Sequence, residues 1–350
     1  MNDTILNSRR QQILEILKEN GSLSRFDLSR LLVFKKRASR ITVIRDLKEL
    51  VKSGFVATYG QGRATRYGLA KINPLLEYID MAHYFEIDSD DRKIKSGFNK
   101  NVYDHLSNLY SRQEIDRWEK GSKMFKKGKT ELDPSIYKRE LERFVIELSW
   151  KSSQIEGNTY SLIETETLIK QNVRAHGHPE EEAVMILNHK DAFETILDKK
   201  SAFKKLDFSD VVQLHNVLTK GLVTSGIRSQ KVRITGTAYE PLSNKHDLEN
   251  ALRQLIKHVN TTVYPPEKAL ILVAMIAYLQ PFADGNKRTA RMLGNAVLIA
   301  YDYFPLSYRN VDVNEYRSAM IIFYEINNLF NFKRIFINQL EFAMKNYFRN

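Results

Sequence analysis

Residues 268–291 read KALILVAMIAYLQPFADGNKRTAR: an apolar helix, a tight turn and a second helix that opens with cations. A turn of this kind leaves the backbone amides of Gly285, Asn286 and Lys287 converging on one spot. There the dipole of the following helix adds to the charges of Lys287 and Arg288. The combination suits a phosphate-sized anion. Asp284 lies beside it, and a lone carboxylate next to bound phosphates is what Mg²⁺ requires, because that ion keeps most of its waters.

Such a loop needs elements to hold it. Asp133-Pro134 is a good helix start, since proline costs nothing in the first turn and aspartate caps free amides. The helix it opens carries Leu141, Phe144, Val145, Leu148 and Ser152 on one face and stops at Gly157-Asn158. Between this helix and the loop, residues 231–241 (KVRITGTAYEP) read as an extended, β-rich strip in otherwise helical sequence. Asn188 and His189, in the stretch EAVMILNHKDAF, read as packed polar residues. Residues 71–132 carry helical patterns broken by charged stretches, without low complexity or a repeat, and read as a helical connector.

The N-terminal seventy residues differ in charge. They hold 14 Lys and Arg against 6 Asp and Glu, a net +8 of the chain's +12. A basic excess confined to one segment points to nucleic acid. Ile13, Leu14, Ile16 and Leu17 form a first helical stripe that Gly21 stops. Ser24 suits an N-cap for a short second helix, and Ser39 opens a third, with Val43, Leu47 and Leu50 at i, i+4 and i+7, ended by Gly54. Extended runs 55–59 and 65–69 flank Gly60-Gln61-Gly62-Arg63, a turn suited to a hairpin. With no cysteine among 350 residues, disulfide frameworks and thiolate metal sites are excluded. The opening MNDTILNSRRQQ lacks an apolar core, and the longest apolar run, 270–279, is far short of a membrane span. A cytoplasmic protein with no membrane partner is expected.

Three helices followed by a basic-tipped hairpin resemble the winged helix-turn-helix family. That resemblance implies a third helix in the major groove, with Arg40, Thr42 and Arg45 facing base edges and Lys35, Lys36, Arg37, Arg63 and Arg66 meeting phosphates of DNA. The segment from Gln280 through Pro, Phe, Ala, Asp, Gly, Asn, Lys, Arg, Thr and Ala to Arg291 resembles the Fic (Fido) motif, H-x-F-x-(D/E)-G-N-(G/K)-R-x-x-R, at every specified position except the first. Upstream, residues 152–157 (SSQIEG) resemble the family's inhibitory motif (S/T)-x-x-x-E-(G/N).

The Fic resemblance implies transfer of AMP from ATP to a protein hydroxyl. Asp284 would hold Mg²⁺, Gly285, Asn286 and Lys287 would cradle phosphates, and Arg288 and Arg291 would neutralise them. Phe282 would anchor the loop, and Gln280 stands at the position of the family's general base. Glu156, with Ser152 and Gly157 around it, would pair with Arg291 and hold ATP in an unproductive pose. The strip with Val232, Ile234 and Tyr239 would be the flap that registers a target segment. A neutral amide accepts no proton near pH 7, so Gln280 implies attenuated transfer; His246, just past the flap, is a candidate stand-in. One branch of the family with Lys at position 287 transfers phosphate instead of AMP, and it too relies on the missing histidine.

The chain is therefore expected to be mainly α: a small winged helix-turn-helix domain over residues 1–70, the connector over 71–132, and an all-helical Fic fold with a β-hairpin flap over 133–350. The expected function is ATP and Mg²⁺ binding at an attenuated adenylyltransferase site, coupled to DNA binding, in a chain that forms a homodimer. Two alternatives stand beside it: an active protein adenylyltransferase autoinhibited by Glu156, and a transcription regulator that uses the Fic fold for sensing or dimerisation.

Overall fold

The computed structural model describes residues 7–32, 40–70 and 73–348, without the side chains of Arg40, Arg63 and Lys129. The chain divides into two compact units, Met1–Glu77 and Tyr78–Asn350.

In the first unit, helix α1 (Ser8–Asn20) opens on Asn7, whose side chain accepts the Arg10 N–H, and ends where Gly21 takes φ +68°. A short strand β1 (Leu23–Ser24) leads into α2 (Arg25–Leu31), with the Ser24 hydroxyl accepting the Asp27 N–H at 3.2 Å. Helix α3 (Arg40–Lys52) is followed by strands β2 (Val56–Tyr59) and β3 (Arg66–Leu69). The sheet order is β1-β3-β2, antiparallel throughout, with Val56 opposite Leu69 and Tyr59 opposite Arg66. Ile13, Leu17, Leu28, Val43, Leu47, Leu50 and Val56 are buried, as the helical spacing of the apolar residues requires.

One polar side chain joins that core. Asp46 is fully buried; Arg10 Nε donates to it at 2.9 Å and Arg9 Nε donates to its other oxygen. Burial opposes ionisation, but the hydrogen bonds and charges of the two arginines prevail and hold the carboxyl below its ordinary value. Asp46→Ala is expected to cost about 3 kcal/mol, because it removes the buried carboxylate that Arg9 and Arg10 both meet. A depressed folded pKa gives stability that is complete above the ordinary carboxylate range and is lost as pH falls through the folded value. Urea unfolding of wild type and variant should therefore show a gap at pH 7 that narrows in acid.

The second unit begins with α4 (Met81–Tyr84) and α5 (Arg112–Glu131), the latter opened by a capping box of Ser111 and Glu114. Helix α6 (Pro134–Ile155) starts as its Asp-Pro pair implies, with Asp133 accepting the Ser135 N–H at 2.8 Å. Then follow α7 (Leu162–Gln171), α8 (Glu180–Asp198), α9 (Phe208–Leu218), α10 (Lys245–Thr261), α11 (Pro265–Leu279), α12 (Asn286–Ala300), α13 (Val313–Ile326) and α14 (Phe330–Asn346). Helix α11 is the axis of the core, buried from Pro266 to Leu279. Helix α12 packs against it closely because Gly294 has no side chain; a Cβ there would lie 2.8 Å from Val273 Cγ2. Helices α6, α8 and α9 also touch α12, so the start of α12 is enclosed by elements distant in sequence.

Of residues 71–132, read from sequence as a connector, 78–132 lie within the second unit and add to its core. Tyr110 and Trp118 are buried edge to face at 4.8 Å, and the Leu109 N–H donates to buried Glu267 of α11 at 2.6 Å. The 231–241 strip is extended about a turn at Gly236, φ +83°, without a β-ladder between its arms. The antiparallel hairpin among the described residues is β2–β3 of the first unit. Among the described residues no helix is long and apolar enough to cross a membrane.

Candidate active site

The loop between α11 and α12 is held by its own side chains. Gln280 caps α11 in the left-handed region (φ +49°, ψ +55°) and is nearly buried. Its Nε2 donates to Ala277 O at 2.7 Å, and its Oε1 accepts from Asn286 Nδ2 at 2.9 Å. Asn286 also accepts the Phe282 N–H at 2.9 Å and donates to Phe282 O at 2.8 Å. Expected to cradle phosphate, Asn286 thus spends its side chain bracing the loop and has only its backbone N–H to offer a ligand. Phe282 is fully buried and stacks on His215 at 3.6 Å. Burial and the charge of Arg288 keep that imidazole neutral, with its pKa at about 4. Its Nδ1 lies 3.1 Å from Thr289 Oγ1.

Helix α12 then starts on Gly285 (φ +75°) with no side-chain cap. The amides of its first turn have no carbonyl partner inside the helix, so they remain available to an anion. A Cβ at position 285 would lie 2.6 Å from Thr219 Cγ2, so only glycine fits this close approach. Arg288, almost fully buried, donates from NH2 to Asp284 Oδ2 at 3.0 Å, and its NH1 has no partner among the described residues. Burial lowers the pKa of Arg288, and the Asp284 carboxylate opposes that shift.

Glu156, immediately after α6, reaches this loop from 135 residues away. Its Oε1 accepts from Arg291 NH2 at 2.9 Å and its Oε2 from Lys287 Nζ at 3.0 Å. Burial disfavours the carboxylate, but Arg291 and Lys287 overcome this and bring its pKa to about 2. The pairing is within one chain. Arg291 donates further, to Ser152 Oγ at 2.9 Å and Ser152 O at 2.8 Å, and its buried NH1 has no partner among the described residues.

Ser152 is itself oriented by His189, 2.8 Å from Nε2, while His189 Nδ1 lies 2.8 Å from Met185 O. The carbonyl only accepts, so Nδ1 carries the proton and Nε2 accepts from the serine hydroxyl. Burial keeps His189 neutral at about 3, against the opposing effect of the Met185 hydrogen bond. Arg317 of α13 adds Nε and NH2 bonds to Ile155 O at 3.0 and 2.6 Å, gripping the peptide group just before Glu156.

The fold thus brings together Gln280, Asp284, Gly285, Asn286, Lys287, Arg288 and Arg291 with Ser152 and Glu156. Gly157 takes φ +102° and turns the chain away after Glu156. Val232 and Ile234 are half-buried on the strip. Tyr239, expected to face a target, points inward: it is 1% exposed, stacks on Tyr278 at 4.7 Å and donates to Tyr278 O at 2.9 Å. It anchors the strip and presents nothing to a target. His246 is exposed in the first turn of α10.

Of the first unit's residues, Arg45 is exposed and Thr42 half-buried on α3. Arg66 donates to Ser22 O at 2.7 and 3.2 Å. Lys35, Lys36 and Arg37 and the side chains of Arg40 and Arg63 lie outside the described residues. No sequence signal pointed to Arg317 or to the Lys287–Glu156 pair; the helical spacing of Ser152 with the other inward residues of α6 was the one hint of its inward face.

The Fic/DOC family model matches residues 205–298. The chain is 25% identical over 188 residues to the protein adenylyltransferase Fic of Nematostella vectensis, covering 51% of this chain and 43% of that protein. It is 25% identical over 161 residues to the protein adenylyltransferase fic-1 of Caenorhabditis elegans, covering 43% and 31%. The chain therefore spans less than half the length of these curated relatives. Among solved structures, residues 134–508 of C. elegans Fic-1 superpose with a TM-score of 0.56 at 18% identity, over 67% of this chain and 70% of that one. A Fic family protein from Desulfovibrio desulfuricans G20 superposes with a TM-score of 0.54 at 20% identity, over 68% and 74%. The structural likeness shows a Fic fold.

Proposed function

We infer that this chain, which carries a Fic/DOC domain, binds ATP at the start of α12 and is held in a braked state by Glu156. The observation that carries the reading is the seat of one carboxylate across Arg291 and Lys287, beside an uncapped helix N-terminus with two unused buried guanidinium nitrogens. A carboxylate there occupies the place of a phosphate group, and Arg288 and Arg291 remain one hydrogen bond short until an anion arrives.

Mg²⁺ fits the same site as an ion held mainly by phosphate and water. Among the described residues no cluster of three or more metal-type ligands exists, but Asp284 presents a carboxylate that is 70% exposed beside the loop. When bound, the ion would offset phosphate charge, with Asp284 holding it. In AMP transfer a target hydroxyl oxygen forms a bond to the α-phosphorus, pyrophosphate leaves, and the hydroxyl proton must go to a base. Gln280 does not serve: both ends of its amide are engaged within the loop, and an amide is neutral. The chain's residues therefore bind and orient a nucleotide, and proton removal is the deficient step.

Calorimetric titration with Mg·ATP tests this reading. Glu156→Gly is expected to bind at least about 10-fold more tightly than the chain itself, since the carboxylate no longer competes for two cations. Absence of binding to either protein would overturn it.

The first unit supports a second reading, a winged helix-turn-helix that binds DNA. The outer face of α3 sets exposed Ile41, Arg45 and Lys48 opposite the buried Val43, Leu47 and Leu50, and strands β2 and β3 follow it to complete a sheet with β1. Binding to duplex DNA is expected to weaken about 10-fold or more between 50 and 200 mM salt, and Arg45→Ala to flatten sequence preference. An absence of duplex binding at low salt would remove this reading and leave the nucleotide site untouched.

A further inference from the structure

His215 of α9 and Thr219, the C-cap of that helix, are both buried against the motif loop. The His215 ring lies flat on Phe282, with centroids 3.6 Å apart and planes within 4°. Its Nδ1 is 3.1 Å from Thr289 Oγ1 and its Nε2 is 3.4 Å from Thr219 Oγ1. The Thr219 hydroxyl donates to His215 O at 2.8 Å, which leaves its oxygen to accept from Nε2. The ring is neutral, so Nε2 carries its one proton and Nδ1 accepts from the Thr289 hydroxyl.

Phe282 and Thr289 bracket the turn at Gly285. The Thr289 N–H donates to Gly285 O at 2.9 Å and so closes the first turn of α12. Phe282 is tied to Asn286 through its N–H and its carbonyl. One imidazole therefore meets both ends of the turn, the earlier end with its face and the later end with its edge. Between them Gly285 turns its inner side to α9: a Cβ there would lie 2.6 Å from Thr219 Cγ2 and 3.4 Å from His215 Cε1. The amides that follow take their direction from the peptide planes of this turn, so they converge only while Gly285 stays at φ +75°. A face that stacks and an edge that accepts are both in use, and an apolar ring at position 215 would supply only the first.

We propose that His215 is a positioning residue for nucleotide binding: it braces the turn at Gly285 so that the first-turn amides of α12 meet phosphate groups. It acts through Phe282 and Thr289. The proposal rests on the ATP reading above and adds to it a residue outside the loop that sets phosphate affinity. Without the edge bond the first turn of α12 loses its side-chain anchor to α9 and opens more often, and a ligand that needs the closed turn binds more weakly in proportion.

The test compares three substitutions in the full chain carrying Glu156→Gly, where the brake masks nothing. His215→Phe keeps the stacking face, Thr289→Val removes the hydroxyl, and His215→Asn returns a polar group near the place of Nδ1. Mg·ATP is expected to bind about 3- to 10-fold more weakly to His215→Phe and to Thr289→Val, the worth of one hydrogen bond, and no more weakly than that to the two combined. His215→Asn is expected to recover most of the loss. Without nucleotide, exchange of the Phe282 and Thr289 amides is expected to speed in His215→Phe, with exchange in α10 unchanged, and the Nδ1 resonance of His215 to shift in Thr289→Val. Unchanged affinity in His215→Phe, losses that add in the combined variant as two unrelated defects would, no recovery with asparagine, or an unmoved Nδ1 resonance overturns the proposal. Binding of Mg·ATP to none of these proteins removes the ATP reading; faster exchange at Phe282 and Thr289 then still upholds the brace, and unchanged exchange overturns it.

Discussion

Label carried on the α-phosphate of ATP is expected to remain near background with the chain and with Glu156→Gly, and to rise when Glu156→Gly is combined with Gln280→His. The expected gain is about 10²- to 10⁴-fold over Glu156→Gly alone, the usual worth of a positioned general base. Two obstacles are separable in the structure. Glu156 occupies Arg291 and Lys287 at 2.9 and 3.0 Å, which on the proposed reading obstructs binding. Gln280 is a chemical one, with an amide bound to Ala277 and Asn286. Removing the first exposes the cations but supplies no base. Restoring the imidazole alone leaves the cations occupied. Label already present with Glu156→Gly would mean that proton loss does not depend on position 280, and a working transferase braked by Glu156 would become the better reading.

Glu156→Gln is expected to lower the stability of the second unit by up to about 3 kcal/mol at pH 7. The folded carboxyl sits at about 2 against an ordinary 4.5, and each unit is worth about 1.4 kcal/mol of differential stabilisation. Because the folded value is the depressed one, this stability is fully present above the ordinary value and is lost as pH falls from there through about 2. The gap between chain and variant in urea unfolding should therefore be widest near neutrality and close toward pH 2. The neutral amide also leaves Lys287 and Arg291 facing each other without a counter-charge, so an anion that binds only the folded state should compensate. Mg·ATP at about 100 times its Kd is expected to return about 2.7 kcal/mol to the variant and less to the chain itself. Equal rescue of both proteins would mean that Glu156 does not compete with the nucleotide.

Arginines fix this site more than carboxylates do. Arg228, Arg317 and Arg92 each end on backbone carbonyls, and the first two on carbonyls alone. Of the three, Arg228 alone is buried, and its planar fork fixes three carbonyls at once without an acidic partner. These arginines tie the motif loop, the end of α6 and the strip to residues far away in the chain.

The sequence by itself determined the local elements. Asp133 and Ser24 set helix starts through bonds to residues two or three positions on, Gly21 and Gly285 set a stop and a start through positive φ, and the apolar spacing in α3 determined which face is buried. It also placed anion-binding chemistry at residues 284–291, since helix dipole and first-turn amides follow from local geometry. The pairing of Glu156 with Arg291 was legible only through resemblance, because a separation of 135 residues leaves no spacing signature. Tertiary structure alone decided that Lys287 joins that pair, that His189 orients Ser152, that Tyr239 turns inward, and that Ser96 and Gly97 meet the strip at Glu240. The reason is separation along the chain: each of these groups has many possible partners of the right type, and packing of distant elements chooses among them.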